Sequence, residues 1–207
     1  MAIIKESSDE LNPPVIEAEA AIAPPKGSRT ALDYLALGLA TCGVGYLPLA
    51  PGTWGSAVGV ILYLIFQAVS LRLFAVTRDG GTDATTVYLL RANALILISA
   101  VITLAGIWAA TRTEILVRRK DPGIVVIDEV AGQMIAFILL PASAGVWLTV
   151  AGFILFRLFD VWKPYPIRRL EALKSGLGIM ADDVLAGIYA AVVLSLLWLI
   201  TTLMSSP

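Results

Sequence analysis

Histidine is missing from this 207-residue sequence, and cysteine occurs only once. Without an imidazole the chain cannot form a Ser-His-Asp triad, a phosphohistidine intermediate or a histidine-ligated zinc site. The single Cys42 excludes an internal disulfide. Cysteine-dependent phosphatases need an arginine six positions after the cysteine, and Pro48 occupies that position here. Carboxylates, lysine, arginine, hydroxyls and bound metal remain for demanding chemistry.

Charge is also scarce. Only 15% of the residues are charged, 58% are hydrophobic, and the net charge is -1. Soluble domains usually carry about a quarter charged residues, so the composition favours a membrane protein. No basic stripe with interleaved aromatic residues is present, which gives no reason to expect a nucleic-acid partner.

Three apolar runs are long enough to cross about 30 Å of hydrocarbon: residues 57–76, 92–111 and 184–204. A short helix over 31–39, a Gly/Pro-rich loop over 41–56 and a polar turn over 77–86 complete this part of the prediction. Residues 1–29, with four prolines and scattered charges, are predicted to be a disordered tail without a signal peptide. The membrane domain is predicted over residues 30–204.

Residues 127–159 allow two topologies. A single tilted span would put Asp128 and Asp160 on opposite faces of the membrane. A helical hairpin that turns at residues 141–145 would return both to the same face, with two arms of about 14 residues, too short to span. The hairpin is favoured because it unites the acidic residues. The predicted fold class is therefore all-α: a multihelical integral membrane protein with about three spans, a helical hairpin and a short interfacial helix.

Basic residues orient this arrangement. Only Arg72, Arg78 and Arg91 lie on one predicted side. The other side carries nine basic residues, namely Arg112, Arg118, Arg119, Lys120, Arg157, Lys163, Arg168, Arg169 and Lys174. By the positive-inside rule this second side, which also holds the acidic clusters, faces the cytoplasm.

Five carboxylates in three short segments are the strongest functional signal: Asp128, Glu129, Asp160, Asp182 and Asp183. Ionised acids beside hydrocarbon are costly unless they meet a cation or a wet cavity. Mg²⁺ prefers oxygen ligands, so convergent carboxylates predict a shared metal site. The alternative is that the two acid pairs are helix caps favoured by the helix dipole.

Basic and glycine-rich segments could bind phosphate. Arg157 and Asp160 are three residues apart and share a helix face, while Lys163 precedes Pro164 and is expected in an extended turn. In the functional interpretation, Arg157 and Lys163 bind the oxygens of a phosphate group. In the alternative, these residues only form a surface ion pair with Asp160 at the end of a helix.

Two further sets complete the candidate site. Thr53, Gly55 and Ser56, in a loop before a helix, could offer backbone amides and hydroxyls to a phosphate. Arg168 and Arg169 are expected to meet anionic lipid headgroups.

Four motifs together resemble the phosphatidylglycerophosphatase A family: P-G-T-W-G-S (51–56), I-V-V-I-D-E-V-A-G (124–132), F-R-L-F-D-V-W-K-P-Y-P-I-R (156–168) and G-I-M-A-D-D-V-L-A-G (178–187). They stand in the family's order, and the resemblance covers about residues 31–204. It implies a Mg²⁺-dependent enzyme of the bacterial inner membrane that removes the terminal phosphate of phosphatidylglycerophosphate and leaves phosphatidylglycerol. The N-terminal tail and a polar insert near 78–86 depart from the family pattern.

On this interpretation Asp128, Glu129, Asp160 and Asp183 are the catalytic candidates, and some of the five carboxylates hold Mg²⁺. The attacking group is either a water on the metal or a carboxylate, and Asp128 and Asp183 are the first candidates for nucleophile or base. Two other functions stay open: a phosphatase for another lipid phosphate such as phosphatidic acid, and a non-enzymatic membrane protein with an ion path.

Overall fold

The computed structural model describes residues 29–78 and 83–205, and within these ranges every regular element is a helix. The helices are α1 (Ala31–Thr41), α2 (Pro51–Arg78), α3 (Ala84–Val117), α4 (Ile127–Ala136), α5 (Val146–Trp162), α6 (Ile167–Leu170) and α7 (Gly176–Met204). Three of them are long and apolar enough to cross a membrane: α2 over Pro51–Leu73, α3 and α7. The all-α class is confirmed. The predicted tail lies outside the described residues except for Arg29, and the domain boundary stays a prediction.

The helices begin earlier than predicted. The supposed loop over residues 51–56 is the start of α2, because Pro51 occupies the first helical position, where a missing N–H costs nothing. α3 begins at Ala84, where the Asp83 carboxylate accepts a hydrogen bond from the Thr86 amide (3.0 Å). The predicted polar turn is thus helical at both ends, and its centre, residues 79–82, lies outside the described residues.

The hairpin between residues 127 and 162 is present, with unequal arms. α4 has 10 residues and α5 has 17, instead of about 14 each. Asp128 and Asp160 line one cavity, so the chain does return to the end where it started. At the tip, Ser143 lines a second cavity together with Trp198 and Thr201 near the end of α7. The tip therefore lies at the opposite end of α7 from Asp183.

Polar side chains hold this tip. The guanidinium of Arg91, which is buried in α3, donates to the Leu140 carbonyl (2.9 Å). The Gln67 amide donates to the Ala142 carbonyl (3.1 Å). Carbonyl groups at a turn inside an apolar bundle need such donors, because unpaired backbone groups are costly away from water.

Helix α4 is the centre of the bundle. Eight of its ten residues are buried, and it packs against α2, α3, α5 and α7. Directly after α4, the ring of Phe137 stacks on that of Tyr63 with centroids 4.2 Å apart, in a core that includes Met134 and Leu194. Because other helices surround α4, its first turn is held rigidly at one end of the bundle.

The short helix α1 is attached to α3 by charge. Its Asp33 carboxylate forms a 2.7 Å ion pair with Arg112 and a reciprocal capping box with Thr30. The Thr30 backbone hydrogen bond and the Arg112 guanidinium hold the pKa of Asp33 below its ordinary value. The predicted short helix is confirmed, two residues longer than expected.

Candidate active site

A cavity of about 540 Å³ lies at the end of the bundle where α2, α4 and α7 begin and α3 and α5 end. Its wall is strongly acidic, with two lysines, Lys120 and Lys163, against eight carboxylates: Glu114, Asp121, Asp128, Glu129, Asp160, Glu171, Asp182 and Asp183. All five carboxylates predicted from the sequence are among them. Such an excess of negative charge in a partly enclosed space is costly unless cations lie close to it.

Three of these acids form a compact cluster. One oxygen each from Asp128, Glu129 and Asp183 lies within 4.8 Å of the other two. Asp128 Oδ1 and Glu129 Oε2 are buried and have no hydrogen-bond partner among the described residues. Burial raises the pKa of Asp128 above its ordinary value, and the charges of Glu129 and Asp183 raise it further. Unpartnered carboxylate oxygens at this spacing suit a hard divalent cation such as Mg²⁺.

Two glycines bring this cluster together. Gly132 lies one turn after Asp128 in α4, and Gly187 lies one turn after Asp183 in α7. A Cβ added to Gly187 would overlap the Gly132 carbonyl oxygen, and a Cβ on Gly132 would lie 2.6 Å from the Asp183 carbonyl oxygen. The two backbones therefore touch at this crossing, and Asp183 is brought beside Asp128.

The structure also excludes helix capping as the role of the second acid pair. α7 begins at Gly176, so Asp182 and Asp183 lie two turns inside the helix and cannot cap it. Asp128 and Glu129 do lie in the first turn of α4, but the capping position there is Val126, which makes no side-chain cap. The capping alternative is thus wrong for Asp182 and Asp183.

Asp160 faces the cavity next to an arginine. Arg157 Nη1 lies 2.6 Å from Asp160 Oδ2, one turn apart on α5 as predicted. Both side chains are largely buried, with exposed fractions of 23% and 12%. Gly52, at the start of α2, lies against this pair: an added Cβ would be 3.1 Å from Arg157 Nη1 and would overlap the Glu129 carboxylate.

The predicted phosphate contacts from the start of α2 need correction. Thr53 is exposed and Gly55 is buried, and neither lines the cavity. The hydroxyl of Ser56 is buried and donates to the Gly52 carbonyl (2.9 Å). Pro51 and Gly52 are the residues of this stretch that line the cavity. The sequence signal for Gly52 was its position directly after a proline at the first helical position.

Lys163 is held between two acids. Its ammonium lies 2.7 Å from Asp182 Oδ2 and 2.6 Å from Glu171 Oε1. Burial alone would lower the pKa of Lys163, but these two hydrogen bonds outweigh it and the pKa is raised. Lys163 ends α5 in the left-handed conformation (φ 48°, ψ 61°), not in the predicted extended one. Asp182 is not part of the three-acid cluster; its Oδ2 is bound to Lys163, and its Oδ1 is buried with no hydrogen-bond partner among the described residues.

Three acids of the cavity were missed by sequence reasoning: Glu114, Asp121 and Glu171. Glu171 lies eight positions after Lys163, a spacing that carries no local signal. Glu114 is buried near the end of α3; its Oε1 accepts from the Asp121 amide (2.9 Å) and its Oε2 from the Ser175 hydroxyl (2.5 Å). Glu114 therefore ties together the two connections that border the cavity.

The remaining basic residues lie at the periphery. Arg168 and Arg169 are exposed on α6 and do not line the cavity. The Arg169 guanidinium covers the Tyr165 ring at 4.8 Å. Lys120 lines the cavity and has no ion pair among the described residues. A cation at Lys120 is therefore available to an anionic ligand, whereas Lys163 is already engaged.

These features define a class: a helical membrane protein with an acidic, lysine-bearing cavity at one end of its spans. Residues 38–198 match the sequence profile of the family described as Phosphatidylglycerophosphatase A. The chain belongs to this family, and it is a phosphatase that acts on lipid phosphomonoesters. No solved structure gives a significant match.

Curated relatives agree with the family. Phosphatidylglycerophosphatase A of Haemophilus influenzae is 36% identical over 78% of this chain and 85% of its own length. The enzyme of the same name from Escherichia coli is 29% identical over 73% of this chain and 76% of its own length. A Bacteroides thetaiotaomicron protein, provisionally named a phosphatidylinositol-3-phosphatase, is 36% identical over 74% of this chain and 86% of its own length.

Proposed function

We propose that this chain hydrolyses the terminal phosphomonoester of phosphatidylglycerophosphate to give phosphatidylglycerol and phosphate, with Mg²⁺ as its cofactor. The observation that carries this proposal is the cluster of Asp128, Glu129 and Asp183, which has unpartnered buried oxygens and lies in a cavity that also contains a lysine. The names of the Haemophilus and Escherichia relatives support the substrate.

Asp128, Glu129 and Asp183 would hold the metal ion, since they are the acids whose oxygens converge. When bound, the ion supplies positive charge that stabilises the negative oxygens of the phosphoryl group during transfer. The ligand set is made of oxygen atoms alone, which suits Mg²⁺ better than a softer metal.

The basic residues orient the phosphate. Arg157 is paired with Asp160 and does not itself line the cavity, so it would act on the phosphate through its charge and not by direct contact. Asp182 and Glu171 hold Lys163 at the cavity wall as a point charge. Preorganised cations of this kind stabilise charge that develops in the transition state.

The reaction breaks the P–O bond to the glycerol oxygen and forms a new P–O bond. If water attacks, Asp128 or Asp183 takes its proton and returns it to the glycerol oxygen as that oxygen leaves. If a carboxylate attacks, an acyl phosphate forms first and water then cleaves it. A trapped phospho-enzyme would identify the second route, and its absence under single-turnover conditions the first.

The cavity has the size of a site for a whole headgroup, since small-ligand pockets usually measure about 300–1,000 Å³. Lys120 on the α3–α4 connection would receive the second, phosphodiester phosphate. Phosphatidylinositol 3-phosphate also carries both a monoester and a diester, so the name of the Bacteroides relative makes it the second candidate substrate. Phosphatidic acid carries only a monoester.

The acidic cavity would face the cytoplasm of a bacterial inner membrane. Lys120 and Lys163 line it, and Arg168 and Arg169 are exposed beside it on α6. These exposed arginines would contact anionic lipid headgroups. By the positive-inside rule, this end of the spans would lie on the cytoplasmic side.

The test is phosphate release by the purified protein in mixed micelles that contain phosphatidylglycerophosphate, phosphatidylinositol 3-phosphate or phosphatidic acid. We expect fastest release from the first lipid, loss of release on chelation, and recovery with Mg²⁺. Asp183→Asn should lose activity, whereas Asp83→Asn, the same change at an exposed helix cap, should retain it. Release that survives complete chelation, or faster release from phosphatidic acid, would overturn the proposal.

A further inference from the structure

Gln133 on α4 is buried without any partner. Its exposed fraction is 0%, and neither its amide nitrogen nor its amide oxygen has a hydrogen-bond partner among the described residues. An unpaired polar group in the protein interior is costly, because it has lost its hydrogen bonds to water. Gly59 of α2 packs directly on the side chain, where an added Cβ would lie 2.8 Å from Gln133 Cβ. The amide therefore has no route to solvent on that side.

A second unpaired atom lies one helical turn away. Glu129 precedes Gln133 by four residues, so the two side chains are neighbours on the same face of α4. Glu129 Oε2 is also buried and unpartnered. An amide N–H is a donor and a carboxylate oxygen is an acceptor, so each group has what the other lacks.

We propose that Gln133 is a positioning residue of the active site, whose amide N–H donates to the Glu129 carboxylate through one buried water. This inference rests on the proposed function, in which Glu129 helps to hold the metal ion. Groups that hydrogen-bond a ligating carboxylate fix its orientation, and their loss typically weakens metal affinity or activity about 10–100-fold. A buried water between the two side chains would also satisfy the Gln133 carbonyl oxygen.

Gln133→Leu tests the proposal, because it removes both amide atoms with little change in volume. We expect the Mg²⁺ concentration for half-maximal activity to rise about tenfold or more, with an unchanged KM for the lipid. The unfolding midpoint without metal should change little, because the Gln133 amide has no hydrogen-bond partner on another helix among the described residues. The rise in midpoint that saturating Mg²⁺ gives the wild type should shrink.

Ser99→Ala is the matched control. Ser99 on α3 is also buried, and its hydroxyl oxygen has no hydrogen-bond partner among the described residues. It lies far from the active site, 15 residues along α3 from Glu114, which lines the cavity. Its loss should leave the Mg²⁺ requirement unchanged. Gln133→Asn, which keeps the amide on a shorter side chain, should fall between wild type and Gln133→Leu.

An unchanged Mg²⁺ requirement in Gln133→Leu would overturn the positioning role. A large decrease in the unfolding midpoint of Gln133→Leu would also overturn it, and so would failure of both Gln133 variants to fold. Either result would show that the amide stabilises the fold. A wild-type protein that needs no divalent ion would instead sink the proposed function. The two failures are therefore distinguishable.

Discussion

The crossing of α4 and α7 at Gly132 and Gly187 makes a sharp prediction. Gly187→Ala puts a methyl group onto backbone atoms that cannot rotate away: the new carbon would overlap the Gly132 carbonyl oxygen and lie 3.0 Å from its carbonyl carbon. Overpacking of this kind costs about 1–3 kcal/mol. Alanine regains up to about 1 kcal/mol through its higher helix propensity. We expect a net loss of roughly 1–2 kcal/mol, because the helices must separate.

The same separation should disturb the active site. Asp183 lies one turn from the crossing, so moving α7 away draws its carboxylate from Asp128 and Glu129. We expect a lower unfolding midpoint in detergent and a tenfold or greater rise in the Mg²⁺ needed for activity. Gly38→Ala is the control, since nothing lies within 4 Å of the added carbon. A Gly187→Ala protein with wild-type stability and Mg²⁺ requirement would refute the reasoning.

Three further predictions follow from the charges and the topology. Lys120→Ala should lower kcat/KM about tenfold for phosphatidylglycerophosphate and hardly for phosphatidic acid, whereas Arg119→Ala should change neither; equal losses on both lipids would contradict this. The folded-state pKa of Asp33 lies below its unfolded value of about 3.9, so its stabilisation is present above that pH and lost below it. The difference in unfolding midpoint between wild type and Asp33→Asn should therefore stay constant from about pH 7 to 5 and shrink below about pH 4; a difference that widens in acid would contradict this. In a variant without Cys42, Ser143→Cys should react with an impermeant thiol reagent added outside the cell. Lys120→Cys should react only after the cells are permeabilised. Labelling of both cysteines from one side would refute the topology.

The sequence predicted the spans and the acidic clusters because both are local signals. Twenty apolar residues in a row indicate a span, and carboxylates beside them indicate a site. The helix starts were missed where Pro51 and Gly52 look like a loop but form the first turn of α2. Proline and glycine are typical of loops and also of the first turn of a helix. Only the packing of Gly52 against Glu129 distinguishes the two.

The division of labour among the acids could not be read from the sequence. Asp182 and Asp183 are neighbours, but consecutive helix residues point about 100° apart. One therefore reaches Lys163 and the other reaches Asp128 and Glu129. Lys163 directly follows α5, and its two partners are Asp182 of α7 and Glu171 after α6. Such tertiary contacts leave no trace in the local sequence pattern.

The depth of the hairpin was also beyond the sequence. Its unequal arms depend on where the turn is held, and that is decided by Arg91 and Gln67 on two other helices. Both looked like ordinary polar residues in or near apolar runs. Their donors meet the carbonyl groups of Leu140 and Ala142 only in the assembled bundle.

The central claim is that acids from α4 and α7 jointly hold one divalent ion. Calorimetric titration of the purified protein with Mg²⁺ tests it without any substrate. We expect binding by the wild type, at least tenfold weaker binding by Asp183→Asn, and nearly unchanged binding by Asp182→Asn, whose carboxylate binds Lys163. Wild-type affinity in Asp183→Asn, or no binding by the wild type, would contradict it.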